Sequence, residues 1–271
     1  MDDGKIFMNR GWLFAPEFSE DMTGQNCSVK MEEVELPHTV ALTPFNSFSP
    51  ASYEKVSAYR KTFKTLEGWQ GKRVILTVGA AAHRSDVYLN GNFVGFHACG
   101  YTSFSVELTP FLLPCGEENV LCIKVDSREN LEQPPFGFVI DYMTYGGIYR
   151  DVYLEVKNSI YIEDVFVTTK KNQFTSCVTL NGFVEGSEND SACMIEQELF
   201  EWKNDDALEQ SGERSLASVV SGVRGKTTLT SASAAGVRQW NLESPALYLL
   251  KTNLLDRDGN IVDSKTVRFG F

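Results

Sequence analysis

Short runs of β-branched and aromatic residues, each closed by a turn signal after about ten residues, govern what this chain can become. Val74-Ile75-Leu76-Thr77-Val78 is one such run. Asp86-Val87-Tyr88-Leu89 is another, and Asn90-Gly91 separates it from Asn92-Phe93-Val94-Gly95-Phe96. Asn-Gly in that setting predicts a hairpin, because both residues accept the positive φ of a type I′ turn. Gly116-Glu117-Glu118-Asn119 leads into a further apolar run over 120–125. Val152, Leu154 and Val156 alternate with Tyr153 and Glu155, as in a half-buried strand. Beyond Asn158 the pattern continues at 160–168, 175–184, 192–200, 216–223, 226–230 and 248–255, and Asp258-Gly259 turns the chain into 261–269. No stretch holds a helical period for three turns. The expected fold class is therefore all-β, in sandwiches or barrels.

The strand that ends at Lys157-Asn158-Ser159 divides the 271 residues into expected domains 1–157 and 158–271. Hydrophobic residues make up 42% and charged residues 23%, which suits packed cores rather than disorder. The net charge of −11 repels phosphate, which argues against nucleic acid and anionic membranes as partners. No apolar run is long enough to span a bilayer, and Met1-Asp2-Asp3-Gly4-Lys5 does not open a secretory leader, so a cytoplasmic location is expected. The six cysteines form no Cys-x-x-Cys pair and read as free thiols. Residues 185–214 carry ten acids against Lys203 and Arg214, and read as a solvated edge. Plain alternation outward from Asn90-Gly91 sets Arg84 opposite His97 and His83 opposite Ala98. The two imidazoles then face opposite sides of the sheet, and no shared metal site is expected unless a bulge shifts the register.

Seven segments, in order, resemble the amino-terminal region of family 2 glycoside hydrolases. They are Leu36-Pro37-His38-Thr39, Tyr59-Arg60-Lys61-Thr62-Phe63, Val87-Tyr88-Leu89-Asn90-Gly91, Gly100-Tyr101-Thr102-Ser103-Phe104, Asn119 to Asp126, Asp141 to Val152, and Trp240 to Tyr248 with its Trp-x-x-x-x-Pro-x-Leu-Tyr spacing. Cys99 stands where the family usually has a glycine. The resemblance implies a jelly-roll, galactose-binding-like sandwich followed by an immunoglobulin-like β-sandwich. It also implies that Phe269-Gly270-Phe271 falls where the family enters its catalytic barrel.

The family reaction is retaining hydrolysis of a β-glycoside by two carboxyl groups about 5–5.5 Å apart. Both belong to the barrel, so this stretch is expected to have no catalytic residue and no activity of its own. By resemblance the parent is a β-galactosidase; β-glucuronidase or β-mannosidase is the alternative. The implied substrate is a β-linked sugar. No cofactor is expected in this stretch, with room for a sodium or magnesium ion in the full-length enzyme and for a homo-oligomer. Asp141 is the first candidate for substrate binding, because family members place an aspartate there against the sugar or a nearby ion, and a carboxylate accepts several hydroxyl bonds. Asn46 is the second, in a segment that some β-galactosidases send to the active site. Arg150 is expected to brace the loop by pairing with a buried carboxylate, and Gly146-Gly147 to supply a tight bend. Two other readings compete: an autonomous carbohydrate-binding module and an adhesive β-sandwich without sugar function. A binding module would stack sugars on exposed aromatics, with Trp12, Trp69, Trp202, Trp240, Tyr101 and Tyr145 as candidates. Trp240 is expected in the core, and Trp69 as a lid on it.

Overall fold

Alternating apolar side chains need a second sheet to bury against, and in the computed structural model each half of the chain supplies its own pair. The structure describes residues 4–44, 46, 49–134, 136, 143–183, 194–203 and 215–271. Two compact units separate between Val156 and Lys157.

The first unit contains β1 (Lys5–Phe7), β2 (Trp12–Ala15), β3 (Glu32–Val34), β4 (Val56–Lys64), β5 (Arg73–Val78), β6 (Ala81–Ala82), β7 (Arg84–Leu89), β8 (Asn92–Ala98), β9 (Phe104–Glu107), β10 (Glu118–Asp126), β11 (Gly147–Ile148) and β12 (Val152–Lys157). A six-stranded sheet, β3-β2-β4-β10-β7-β8, and a four-stranded sheet, β1-β12-β5-β9, form its layers, and β6 pairs with β11 in a small third sheet. Trp12, Phe14, Tyr59, Leu76, Leu89, Leu121, Ile123 and Ile148 belong to one buried core. A second cluster (Ala15, Met22, Ala58 and Cys122, with Phe18 and Tyr88 packed on it) covers part of the six-stranded sheet on its other side. Burial there pushes the Cys122 thiol up to about 12, so it stays a neutral packing group.

The Asn90-Gly91 hairpin forms, with φ of 53° and 82° at its two corner residues. Its register departs from plain alternation. Leu89 faces Asn92 and Tyr88 faces Phe93, but Val87 faces Gly95, so Val94 is an extra residue, a β-bulge. Every pair beyond it moves by one: Ser85 faces His97, and Arg84 faces Ala98 rather than His97. Val94, although it breaks the ladder, still packs on the core.

The second unit contains β13 (Tyr161–Lys170), β14 (Gln173–Asn181), β15 (Met194–Glu201), β16 (Ala217–Gly222), β17 (Thr227–Ser233), β18 (Tyr248–Leu255) and β19 (Ile261–Phe269). They form a three-stranded sheet, β13-β14-β17, and a four-stranded sheet, β16-β15-β18-β19. Ile162, Phe174, Val178, Leu180, Ile195, Leu199, Tyr248, Leu250 and Leu254 fill its core. A polar cross-link runs through it. Gln197 Oε1 accepts hydrogen bonds from Ser176 (2.8 Å) and Thr230, and Gln197 Nε2 donates to Thr252 Oγ1 at 2.9 Å. These residues come from β14, β15, β17 and β18, so both sheets contribute. Trp240 lies at the surface rather than in the core, 46% exposed. Its backbone N–H donates to the Phe271 carbonyl at 2.7 Å, and its ring packs beside Gly270, so it holds the last residues instead of filling the interior.

Candidate functional site

The strand β10 ends at Asp126, and the chain returns to the sheet at Gly146-Gly147. Polar groups fasten both places. Ser127 Oγ donates to the Tyr53 carbonyl at 2.6 Å, and the Ser127 amide donates to the Lys55 carbonyl at 2.9 Å. On the return side, His38 N donates to the Ile148 carbonyl at 2.8 Å and Val40 N to the Gly146 carbonyl at 3.1 Å. A side-chain bond ties the two flanks together: Thr144 Oγ1 donates to Glu129 Oε1 at 2.8 Å. Thr144 also bonds the Tyr53 hydroxyl, whose pKa is raised first by burial.

The return strand fits only because it starts with glycines. Gly147 has φ of +110°, and a Cβ placed there would sit 2.6 Å from the His38 carbonyl oxygen and 2.7 Å from the Tyr59 hydroxyl. Tyr59 is fully buried, and its hydroxyl lies 2.8 Å from His38 Nδ1. The Leu-Pro-His segment is thus the seat on which β11 rests.

His83, between β6 and β7, is fully buried, and neither ring nitrogen has a hydrogen-bond partner among the described residues. Its backbone N–H donates to the Asp126 carbonyl at 2.8 Å, and Ala82 pairs with Gly147, so this segment is tied to both ends of the 127–146 excursion. Gly100 packs against the ring, where an added Cβ would lie 3.0 Å from Nδ1. That contact gives the glycine of Gly100-Tyr101 a structural reason. Burial holds the His83 imidazole below its ordinary range, opposed by the charges of Glu129 and Asp126. The unfolded chain therefore takes up a proton before the folded chain does, and stability falls as pH drops through about 6.5, at up to about 1.4 kcal/mol per pH unit. Between pH 7.5 and pH 5, His83→Leu should lose less stability than the unaltered chain in urea titrations. Parallel pH profiles would sink this assignment.

Of the two substrate-binding candidates, Asp141 lies outside the described residues. Asn46 is exposed. Arg150 is exposed and meets no buried carboxylate among the described residues: its Nη1 donates to the Tyr101 carbonyl at 3.4 Å, and its guanidinium lies 5.6 Å from the Tyr149 ring centroid. Arg150 falls in the break between β11 and β12, where the side chain turns outward. The carboxylate next to it, Asp151, is already bonded by Asn9 at 2.8 Å. Among the aromatic candidates, Trp12 and Trp69 are buried, whereas Tyr101 and Tyr145 are exposed. No group of three His, Cys, Asp or Glu side chains among the described residues is placed to hold a metal ion. His97 Nε2 instead meets Thr102 Oγ1 at 2.8 Å, and its ring stacks on Phe104. Thr102 also bonds Cys99, and with the Tyr101 and Thr102 amides it holds that thiol below its ordinary range.

Residues 33–158 match the domain described as "Glycosyl hydrolases family 2, sugar binding domain", and residues 160–271 match "Glycosyl hydrolases family 2". The chain belongs to glycosyl hydrolase family 2. A β-galactosidase from Thermoanaerobacter pseudethanolicus is 31% identical over 270 residues, 97% of this chain and 34% of that protein. A second, from Thermoanaerobacterium thermosulfurigenes, is 27% identical over 272 residues, 98% of this chain and 37% of that protein. A Bacteroides fragilis β-glucuronidase is 32% identical over 149 residues, 55% of this chain and 20% of that protein. The family 2 chain thus spans about a third of the length of the first two relatives. In fold it matches the crystal structure of Bacteroides uniformis β-glucuronidase with a TM-score of 0.78 at 22% identity, over 98% of this chain and 32% of that one. Bifidobacterium dentium β-glucuronidase gives 0.79 at 19%, over 100% and 49%. The two units are a jelly-roll sugar-binding sandwich and an immunoglobulin-like sandwich.

Proposed function

We propose that this chain is the non-catalytic amino-terminal part of a retaining exo-β-glycosidase, most like a β-galactosidase, with its domains at 1–157 and 158–271. The observation that carries the reading is coverage: two family 2 domains fill the chain, and the chain fills about a third of its β-galactosidase relatives. Its role is to position the catalytic barrel and to lend the 127–146 excursion, with Asp141, to the sugar pocket. The seating of that excursion by His38, Tyr59, Ser127 and Thr144 supports such a role, since a loop that completes a pocket needs fixed ends. Asn46 is the second contributor in this reading. A homo-oligomer and a cytoplasmic location belong to the same proposal.

The test is to express the parent reading frame beside residues 1–271 and assay both on nitrophenyl β-galactoside and β-glucuronide. The parent should hydrolyse one of them and the chain alone neither. In the parent, Asp141→Asn should lower kcat/KM by about tenfold to a hundredfold, the range for losing a charge-assisted bond to a sugar hydroxyl. Turnover by the purified chain itself, or an Asp141→Asn parent with unchanged kcat/KM, would overturn the assignment.

A further inference from the structure

The bulge at Val94 has a chemical result on the far side of the six-stranded sheet. Phe93 and Phe96 are three apart, and plain alternation sends them to opposite faces. With the extra residue between them, Phe93 faces Tyr88 and Phe96 faces Asp86, and all four side chains share one face. Both phenylalanines are open to solvent, at 52% and 56%. Phe93 meets Tyr88 edge-on at 5.6 Å, and Tyr88 stacks with Phe18 at 6.2 Å.

A fixed guanidinium stands among these rings. Arg84 Nε donates to Asp86 Oδ1 at 3.1 Å, and Nη2 lies 3.1 Å from the same oxygen. The guanidinium carbon is 4.6 Å from the Phe96 ring centroid, so carboxylate and ring together hold the group flat. No partner binds Nη1 among the described residues. Lys124 Nζ approaches the other Asp86 oxygen at 3.3 Å and lies 5.0 Å from the Phe18 ring centroid. Asp126, across the ladder from Arg84, is already engaged by Arg128 Nε and Nη2. With Glu20 and Arg60 also acting on this face, three cations stand against two carboxylates, a local positive excess on a chain whose net charge is −11. The patch therefore offers apolar ring faces beside a pre-oriented donor with unused N–H groups. A pyranose stacks on the first, and a carboxylate pairs with the second.

We propose that the face formed by β10, β7 and β8 binds an oligosaccharide that bears uronic acid groups, with a sugar ring on Phe96 and Phe93 and a carboxylate on Arg84. The choice of a glycan over other carboxylates rests on the glycosidase reading above; the ring and guanidinium geometry does not. The ligand site is testable on the 271-residue chain without catalysis.

The experiment is a calorimetric titration of that chain with tetragalacturonate, with a neutral galactotetraose and with tetraglutamate. Tetragalacturonate should bind most tightly and weaken with added salt. Phe96→Ala and Arg84→Ala should each weaken it by about tenfold, and Phe96→Ala should leave the melting curve unchanged because that ring is exposed. If either variant fails to fold, Phe93→Ala and the shifts of the phenylalanine ring signals in the unaltered chain report the same contact. Equal binding of the neutral sugar, equal binding of tetraglutamate, variants that bind like the unaltered chain, or no binding at millimolar ligand would each overturn the proposal. So would a self-association that Phe96→Ala abolishes without sugar present, since the face would then belong to a second copy. Failure of the glycosidase reading would show separately, as a parent that hydrolyses neither nitrophenyl glycoside.

Discussion

Gly147→Ala should cost the first unit about 3 kcal/mol or more in urea titrations. Two independent effects add. The φ of +110° is a region that residues with a Cβ rarely adopt, and the new methyl would meet the His38 carbonyl oxygen at 2.6 Å and the Tyr59 hydroxyl at 2.7 Å. Neither neighbour can give way cheaply. The carbonyl belongs to backbone whose His38 N–H bonds Ile148, and Tyr59 is sealed in the core. Gly116→Ala is the control: φ is +86°, but nothing lies within 4 Å of its added methyl, so only the conformational part, about 1 kcal/mol, should appear. Hydrogen exchange read unit by unit assigns the loss. Equal costs at Gly147 and Gly116 would show that β11 relaxes and that its seat is not rigid.

The second large effect lies in the other unit. Gln197→Ala should destabilise it by about 3 kcal/mol, because a buried side chain leaves a cavity and also withdraws the partners of three buried hydroxyls. Gln197→Met separates the two contributions. It keeps the length of the side chain, so the cavity part disappears, while Thr252 still loses its donor. Ser176 and Thr230 are 2.7 Å apart and can satisfy each other. The methionine variant should therefore lose only about 1–2 kcal/mol. Equal losses in both variants would mean that packing alone matters at this position.

Strand content was readable because it depends on local alternation and on turn residues that leave few choices. The runs at 248–255 and 261–269 are strands at those same bounds, and Asn90-Gly91 turns as its chemistry dictates. The register beyond that turn was not readable. Nothing local distinguishes Val94 from its neighbours as the extra residue, and the bulge follows from what the rest of the sheet and its core accept. The exposed pair Phe93 and Phe96 was hidden by the same cause. Trp240 misled because a tryptophan in a recurring motif suggests burial, whereas this one serves through its backbone and one ring edge. Arg150 differs for a related reason: a charge beside a strand suggests a buried counter-ion, but the break between β11 and β12 turns it to solvent and no described residue supplies one. His83 carried no signal at all, since two unsatisfied ring nitrogens become visible only once burial is known. Asp141 and Asn46 were suggested by resemblance, not by any pattern of their own.

The ends of the 127–146 excursion all but touch, since an added Cβ on Gly146 would lie 2.5 Å from that of Ser127. To the sheet, the eighteen residues between them are a parenthesis. Lengthening a loop whose ends are already pinned costs little, about 0.6 kcal/mol per doubling. The scaffold and its insert can therefore diverge at different speeds. One could be replaced wholesale, by drift or by an engineer's graft, while the other keeps the backbone hydrogen bonds of its sheets.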